Sequence, residues 1–314
     1  MNHKESTELP EYSIVIPAYN SAKSLKELCH RIDKVFKRMR KSYEVVIVDD
    51  SSADNSWYIM KELREKNSNI KIIQLMRNFG QHNALICGFH NVLGRYVITM
   101  DDDLQNPPEE IPKLVNEIQK GYDAVIGALE IKQDRLFKKA GSFFIRYINT
   151  RVFSKPKGLK LSSFRIMTRA LTNEIKVLKT PYPYVSGMLL SLTNNIGNVE
   201  VKHEMRQYGH STYSFSKLVK LAFNLIINYT SLPLRLLGAI GMLISIASFS
   251  MGLFFIVKKL LNKEIDAGWT SVVVLLSFFN GLLLAILSIM GEYLSRIISE
   301  VSNTQQFVIR EKHL

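Results

Sequence analysis

Three consecutive carboxylates, Asp101 to Asp103, follow residues 96–100, an apolar run whose β-branched and aromatic residues are typical of a strand. Neighbouring carboxylates repel one another unless a cation lies among them. Mg²⁺ takes oxygen ligands, and one or two protein carboxylates commonly hold it together with the phosphates of a substrate. The alternative interpretation is an acidic turn that begins the next helix. The triplet predicts a divalent-metal site, and the other strand ends help to decide between the two interpretations.

Polar residues also follow the first two predicted strands. Pro17, Tyr19 and Asn20 end the first strand, and Asp50 ends the second. In an open α/β sheet, ligands bind outside the carboxyl ends of the strands, where these groups meet. Asp50 could accept a hydrogen bond from a nucleobase or ribose, or cap the following helix, and Tyr19 could pack on a base. The chain has no glycine-rich phosphate loop, so a metal and basic side chains must neutralise a bound diphosphate. We interpret this edge as a nucleotide site.

The elements that must position these residues alternate between strand-like and helix-like runs. Strands are predicted at 12–17, 44–48, 70–75, 96–100 and 124–126, and helices at 24–40, 56–66, 81–92 and 109–120. A capping box, Ser24 to Glu27, is expected to open the first helix. The order predicts an α/β fold with a mostly parallel sheet and helices on both faces. After Lys132 we expect a basic helix at 135–153, a helix at 171–178 and a half-exposed strand at 199–206.

Two long uncharged runs follow this part of the chain. Residues 236–257 carry no charge for 22 residues, and residues 267–291 carry none for 25. Because a bilayer core needs roughly 20 apolar residues per helix, we expect transmembrane helices at about 234–257 and 267–291, with buried core helices as the alternative. The short link Lys258–Asp266 makes the pair a hairpin with both chain ends on the cytoplasmic side.

An amphipathic helix is predicted at 213–231, where Lys217 and Lys220 accompany apolar residues at helical spacing. It would lie along the membrane surface, unless it is an ordinary core-facing helix. The predicted domains are therefore a cytoplasmic α/β domain at 1–212, this helix at 213–231, the hairpin at 232–295 and a cytoplasmic tail at 296–314.

The net charge of +13 is not attributed to nucleic-acid binding, because the sequence has no basic arm, zinc spacing or RNA-binding aromatic motif. Anionic lipid headgroups and an anionic substrate are the expected partners. The two cysteines predict no disulfide framework.

Six strings of residues, together with the two predicted spans, resemble the family 2 glycosyltransferases that load polyprenyl phosphates. The strings are IVIPAYN, VIVDDSSADNS, RNFGQHNALICGF, DDDLQNPPEEIP, FRIMTR and RQYGHSTYS. The strings RNFGQH and DLQNPPEEIP are most similar to the undecaprenyl-phosphate formamido-arabinose transferase group. The resemblance implies a GT-A domain with Mg²⁺ or Mn²⁺, a nucleotide-sugar donor, a polyprenyl phosphate acceptor and inversion at the sugar. Together with the two predicted spans, these motifs lead us to expect a multi-pass protein of the cytoplasmic (inner) membrane, and we also expect a homo-oligomer.

The resemblance also implies roles for individual residues. Asp101 and Asp103 match the metal-binding D-x-D pair, and Asp103, Gln105 and Arg206 are the expected catalytic residues. The donor is expected to contact Pro17, Tyr19, Asn20, Asp50, Asp101, Asp102, Asp103 and Arg206. The expected contacts of the acceptor phosphate are Arg135, Arg165, Arg206 and Ser211, with Arg135 and Arg165 as candidates to replace cations that the family pattern has at Leu129 and Thr212. His82 is expected to be a structural hydrogen-bonding residue and not a base.

Two positions depart from the family pattern, because many relatives carry an arginine at Leu129 and a lysine at Thr212. The sequence leaves two rival interpretations. A processive polysaccharide synthase usually has more spans and a Q-x-x-R-W motif, which is absent here. A catalytically inactive subunit that binds lipid or a protein partner is consistent with Leu129 and Thr212, but Asp101, Asp103, Gln105 and Arg206 favour an enzyme.

Overall fold

The computed structural model describes residues 9–129, 155–156, 158–180, 183–204, 238–244, 268–301 and 305–314, with single positions at 246, 250, 253, 257 and 261. The chain divides into two compact units. The first contains Met1–Tyr213 and Gln305–Leu314, and the second contains Ser214–Thr304.

The first unit is built on one eight-stranded sheet. The strands are β1 (Tyr12–Ala18), β2 (Tyr43–Asp49), β3 (Ile70–Leu75), β4 (Tyr96–Thr99), β5 (Ala124–Leu129), β6 (Arg165–Thr168), β7 (Ile196–Val201) and β8 (Ile309–His313). Their order across the sheet is β7-β5-β6-β4-β1-β2-β3-β8. β6 and β8 run antiparallel to their neighbours, and the other pairings are parallel. The prediction of a mostly parallel α/β sheet is confirmed.

Helices cover both faces of this sheet. They are α1 (Leu25–Met39), α2 (Ser56–Lys66), α3 (Gln81–His90), α4 (Ile111–Ile118), which follows a 3₁₀ turn at Pro108–Glu110, α5 (Arg169–Val177) and α6 (Val185–Leu192). α1, α2 and α4 bury their apolar residues in one core, and α3, α5 and α6 bury theirs in the other. Every residue of β1 and of β2 is buried, as expected for strands covered on both faces.

The start of α1 differs from the prediction. Ser24 occupies the N-cap position in a helical conformation, and its side chain makes no capping hydrogen bond. Instead, the Ser24 hydroxyl donates to the carbonyl of Ser21 at 3.1 Å. The predicted capping box is therefore wrong, because the preceding turn already occupies the Ser24 hydroxyl.

The strand order reverses at β1, which lies between β2 and β4. β2 and β3 continue from β1 in one direction, and β4 lies on its other side, with Tyr12 opposite Tyr96 and Val15 opposite Thr99. A reversal of this kind leaves a crevice at the carboxyl ends of the two central strands. The residues after β1 and after β4 border that crevice.

The last strand was not expected from the sequence, which assigned residues 296–314 to a tail. β8 pairs with β3 along the sheet edge, where Ile309 lies opposite Leu75. Arg310 Nη2 donates to the carbonyl of Met76 at 3.0 Å, and Gln306 Nε2 donates to the carbonyl of Thr180 at 2.8 Å. The end of the chain is therefore part of the first unit.

In the second unit, α7 (Trp269–Val301) contains the apolar stretch Phe278–Ser295. By length and composition this is the one helix among the described residues that could cross a membrane. Many of its large apolar side chains are exposed, including Phe278, Leu284 and Leu287. Most of the predicted span 234–257 and all of the predicted amphipathic helix 213–231 lie outside the described residues, although residues 238–244 are helical.

Candidate active site

The acidic triplet leaves β4 at the carboxyl end of the sheet, and all three carboxylates are partly exposed. Asp101 accepts hydrogen bonds from Gln81 Nε2 at 2.7 Å and from the hydroxyl of Ser163. Burial raises the pKa of Asp101, and the negative charge of Asp103 raises it further. The negative charge of Asp103 therefore contributes to the electrostatic environment of Asp101.

A tight turn follows the triplet. Asp103 Oδ1 accepts a hydrogen bond from the backbone N–H of Gln105 at 3.1 Å, and Leu104 between them has a φ of 61°. Asn20 and Ser51, in the loops after β1 and β2, have φ values of 55° and 61°. Left-handed backbone at residues other than glycine is strained and is concentrated at functional sites. Three such residues therefore lie along the carboxyl edge of this sheet.

Asp102 joins the loops after β4 and β1. Its Oδ2 accepts hydrogen bonds from the backbone N–H of Tyr19 at 3.2 Å and from the Ser21 hydroxyl. Burial raises the pKa of Asp102 to about 6, although both of these donors lower it. Asp102 holds the loop that presents Tyr19, whose side chain is 51% exposed.

Asn20 joins the loop after β1 to the loop after β2. Its backbone N–H donates to the Ser52 hydroxyl, and its Oδ1 accepts from the backbone N–H of Ala53, both at 2.9 Å. Pro17 is buried and lies beyond Val15, the last β1 residue that pairs with β4, so its missing N–H costs no hydrogen bond with that strand. The three predicted strand ends thus meet at one edge.

Asp50 is 3% exposed and holds the loop after β3. Its two oxygens accept hydrogen bonds from the backbone N–H groups of Phe79 and Gly80, at 2.7 and 2.8 Å. Burial raises the pKa of Asp50 to about 6. In this position Asp50 supports the loop that carries Gln81, and it has little exposed surface for the nucleobase contact that we expected.

The profile of the family described as "Glycosyl transferase family 2" matches residues 13–175. The chain belongs to this family. It is 36% identical, over 97% of its length and 94% of the relative, to the undecaprenyl-phosphate 4-deoxy-4-formamido-L-arabinose transferase of Proteus mirabilis. The enzyme of the same description from Photorhabdus laumondii is 35% identical, again over 97% of this chain and 94% of the relative. The resemblance given by the motifs is confirmed.

The fold is also similar to that of glucosyl-3-phosphoglycerate synthase from Mycobacterium tuberculosis, whose structure contains Mn²⁺, UDP and glucosyl-3-phosphoglycerate. The TM-score is 0.51 with 18% identity, and the match covers 69% of this chain and 78% of the synthase. At that identity the match supports the GT-A-like fold alone.

The family string FRIMTR contains Arg165, which lies on the strand next to β4. Arg165 lies in β6 opposite Thr99 of β4, is 2% exposed, and its Nη1 donates to the Ser186 hydroxyl at 3.1 Å. Burial lowers the pKa of Arg165 to about 10, while the negative charge of Asp101 opposes that shift. This position argues against the expected contact with an acceptor phosphate, because a guanidinium inside the core is inaccessible to a lipid headgroup. Arg165 instead provides a buried positive charge near Asp101.

His82, in the family string RNFGQH, packs edge-to-face on Tyr184 with ring centres 5.6 Å apart. Burial and, to a smaller extent, the positive charge of Arg165 lower the pKa of His82 to about 4. The imidazole is therefore neutral near pH 7. Among the described residues its buried Nδ1 has no hydrogen-bond partner, so the expected structural hydrogen bond is not formed at this atom.

Several family positions lie outside the described residues, namely Arg135, Arg206, Ser211 and Thr212. Leu129 is the last residue of β5, opposite Val201 of β7. Two supporting residues were not identified from the sequence, Gln81 and Ser163, which both donate to Asp101. Gln81 lies within the family string RNFGQH and Ser163 directly precedes FRIMTR, which is the only signal that could have indicated them.

The donor set of the acidic loop suits a divalent cation. No group of three His, Cys, Asp or Glu side chains in metal-binding geometry occurs within the described part of the chain. Mg²⁺, however, is commonly held by only one or two carboxylates when substrate phosphates and water complete its shell. Asp101 and Asp103 supply hard oxygen ligands whose mutual repulsion a cation would relieve. These two carboxylates fit the metal that the family implies.

Proposed function

We propose that this protein is an inverting, metal-dependent glycosyltransferase of the cytoplasmic face of the membrane. It transfers a sugar from a nucleotide diphosphate, UDP in our assignment, to undecaprenyl phosphate. The observation that carries the proposal is the position of two carboxylates, Asp101 and Asp103, on the loop that leaves β4 where the strand order reverses. A ligand with phosphates and a cation fits that edge.

The donor would lie across the loops after β1 and β4. The exposed ring of Tyr19 offers a surface for the base, and Asp102 and Asn20 hold the loop that presents it. Asp101 and Asp103 would hold Mg²⁺ or Mn²⁺, which when bound supplies positive charge that stabilises the leaving diphosphate. The mycobacterial synthase, which has a similar fold, contains Mn²⁺ and UDP, and the proposed donor and metal are of the same chemical kind.

The acceptor would be the phosphate of the lipid. One of its oxygens forms a bond to the anomeric carbon while the bond from that carbon to the diphosphate breaks, and UDP leaves. Because a phosphate monoester is already anionic near neutral pH, this step needs no protein general base. Gln105 and Arg206 would orient the reacting phosphates, in agreement with the family roles. The description of the Proteus mirabilis relative as an undecaprenyl-phosphate transferase supports this acceptor.

Connectivity supports two membrane crossings. β1 and β8 belong to the same sheet, so the chain before the second unit and the chain after it lie on one side of any membrane. The segment between them must then cross an even number of times. In this proposal α7 would supply one crossing, and the uncharged run at 236–257 is the candidate for the other.

The test is transfer by the purified full-length protein in lipid nanodiscs, with a panel of UDP-sugars and Mg²⁺ or Mn²⁺. Undecaprenyl phosphate is compared with undecaprenol, which keeps the tail and lacks the phosphate. We expect one donor to give a lipid-linked sugar phosphate and an equal amount of UDP, with no product from undecaprenol. Release of UMP instead of UDP would indicate transfer of a sugar phosphate and would overturn the proposal. Nucleotide binding without transfer from any donor would favour the scaffold alternative.

A further inference from the structure

Arg31, on α1, lies between two carboxylates from distant parts of the chain, and 15% of its side chain is exposed. Its Nε donates to Glu109 Oε1 at 3.0 Å, and its Nη2 donates to Glu109 Oε2 at 2.5 Å. The same guanidinium lies 3.4 and 3.5 Å from the two carboxylate oxygens of Glu204. A planar guanidinium suits such two-point contacts, which an ammonium group cannot make.

Glu204 in turn contacts the acidic loop through its backbone. Its N–H donates to the carbonyl of Gln105 at 2.9 Å. Two residues earlier, the N–H of Lys202 donates to Glu110 Oε2 at 3.1 Å. The segment after β7 therefore lies along the loop that follows the acidic triplet.

Gln105 is consequently held on both sides of its backbone. Its carbonyl accepts from Glu204, and its N–H donates to Asp103 Oδ1 at 3.1 Å. Leu104, between Asp103 and Gln105, has a left-handed φ of 61°, a strained conformation that persists only when its surroundings hold it. A continuous series of contacts thus runs from Arg31 through Glu204 and Gln105 to Asp103.

We propose that Arg31 is a positioning residue for the metal-binding loop: by holding Glu109 and Glu204 together, it fixes the backbone of Gln105 and the carboxylate of Asp103. The inference rests on the proposed function, because it assigns the metal to Asp101 and Asp103. Ion pairs as exposed as these add little to global stability. The effect of Arg31 is therefore local, on the geometry of the loop.

The measurement is the dissociation constant of Mn²⁺ for the full-length protein with saturating UDP, from the paramagnetic resonance signal of free Mn²⁺. Arg31→Ala should weaken Mn²⁺ binding about tenfold, the lower end of the range for residues that support metal ligands. Arg31→Lys should recover only part of this loss, because it keeps the charge without the planar fork. Arg38→Ala, an exposed arginine on the same helix, is the matched control and should bind Mn²⁺ like the wild type.

A purely structural role for Arg31 makes a different prediction. In that case Arg31→Ala would have a lower thermal unfolding midpoint. Its Mn²⁺ affinity, measured at a temperature well below that midpoint, would equal that of the wild type, and this result would overturn the inference. The pathway through Glu204 is tested by combining Arg31→Ala with Glu204→Gln. If both act through the same contacts, the double variant should be no weaker than the weaker single variant. Fully additive losses would show that Arg31 does not act through Glu204.

The assay also separates this inference from the proposed function, because Mn²⁺ binding does not require sugar transfer. Suppose that the wild type does not transfer sugar to undecaprenyl phosphate, but Arg31→Ala still weakens Mn²⁺ binding. These results would overturn the proposed acceptor and support the role of Arg31. Unchanged Mn²⁺ binding in Arg31→Ala, with normal transfer by the wild type, would overturn Arg31 alone. Absence of Mn²⁺ binding in the wild type would overturn both the metal assignment and the role of Arg31.

Discussion

Two acidic groups lie at the same edge of the sheet and have different surroundings. Asp49 and Asp50, at the end of β2, are 0% and 3% exposed. Each of their oxygens accepts a hydrogen bond from within the domain. The donors are the N–H of Ser52 and Gln74 Nε2 for Asp49, and the N–H groups of Phe79 and Gly80 for Asp50. This pair serves to hold loops together.

The triplet after β4 is partly exposed, and its members differ from one another. Asp102 accepts hydrogen bonds from the loop after β1, as a structural carboxylate does, whereas Asp101 and Asp103 lie on the loop that borders the crevice. Buried carboxylates whose oxygens all accept hydrogen bonds stabilise a fold, and partly exposed carboxylates can bind a cation. Residue type alone does not distinguish the two groups, and exposure to solvent does.

The largest expected effect is that of Asp103→Asn. Removing one ligand charge from the metal site should lower sugar transfer by about a hundredfold or more, since the charge that a metal supplies to a leaving group is worth several factors of ten. The rate of transfer from UDP-sugar to undecaprenyl phosphate is the measurement. Folding should be preserved, because asparagine keeps the shape of the side chain and retains an oxygen for the N–H of Gln105.

A strong chelator tests the same metal requirement without a mutation. It should abolish transfer by the wild type, and Mn²⁺ added in excess should restore it. Persistent activity in the chelator, together with full activity of Asp103→Asn, would remove the metal from the mechanism and erase the difference between the two acidic groups.

Asp50→Ala should lower the stability of the protein and leave metal binding almost unchanged, which is the opposite of the result expected for Asp103→Asn. The N–H groups of Phe79 and Gly80 would lose their acceptor, and each unpaired buried donor costs roughly 1–3 kcal/mol, so the total is about 2–6 kcal/mol. Chemical denaturation of the full-length protein in detergent measures this loss, and Mn²⁺ binding below the transition is the control. Unchanged stability with lost UDP binding would instead return Asp50 to the nucleotide-contact role expected from the sequence.

Much of this architecture could be predicted from the sequence because it depends on local patterns. The alternation of apolar strands with amphipathic helices gave the bounds 56–66 and 70–75 that α2 and β3 have in the structure. The parallel order then brought the strand ends to one edge, which is why Tyr19, Asp50 and Asp101 could be grouped before their geometry was known.

The features that could not be predicted from the sequence depend on contacts between residues far apart in the chain. β8 is a short polar strand, and it pairs with β3 more than 230 residues away, so no local period indicates it. Arg31 has the sequence context of an ordinary surface charge on a helix, and its partners are 78 and 173 residues distant. The different roles of Asp102 and Asp103 follow from the turn at Leu104, whose left-handed backbone no sequence pattern indicated.

The smallest expected effect concerns Ser163, which donates its hydroxyl to Asp101. Ser163→Ala removes one hydrogen bond to a charged ligand, which is worth about 1.5 kcal/mol, or roughly a tenfold loss of Mn²⁺ affinity. Gln81 still donates to the other oxygen of Asp101, so the carboxylate keeps one of its two supports. The measurement is Mn²⁺ binding with saturating UDP, with Ser162→Ala as the control, because the Ser162 hydroxyl donates to the carbonyl of Gly127 and not to the triplet. If Ser163→Ala and Ser162→Ala bound Mn²⁺ equally well, the hydrogen bond to Asp101 from the segment before β6 would be dispensable. The contrast between the two acidic groups would then rest on Asp103 alone.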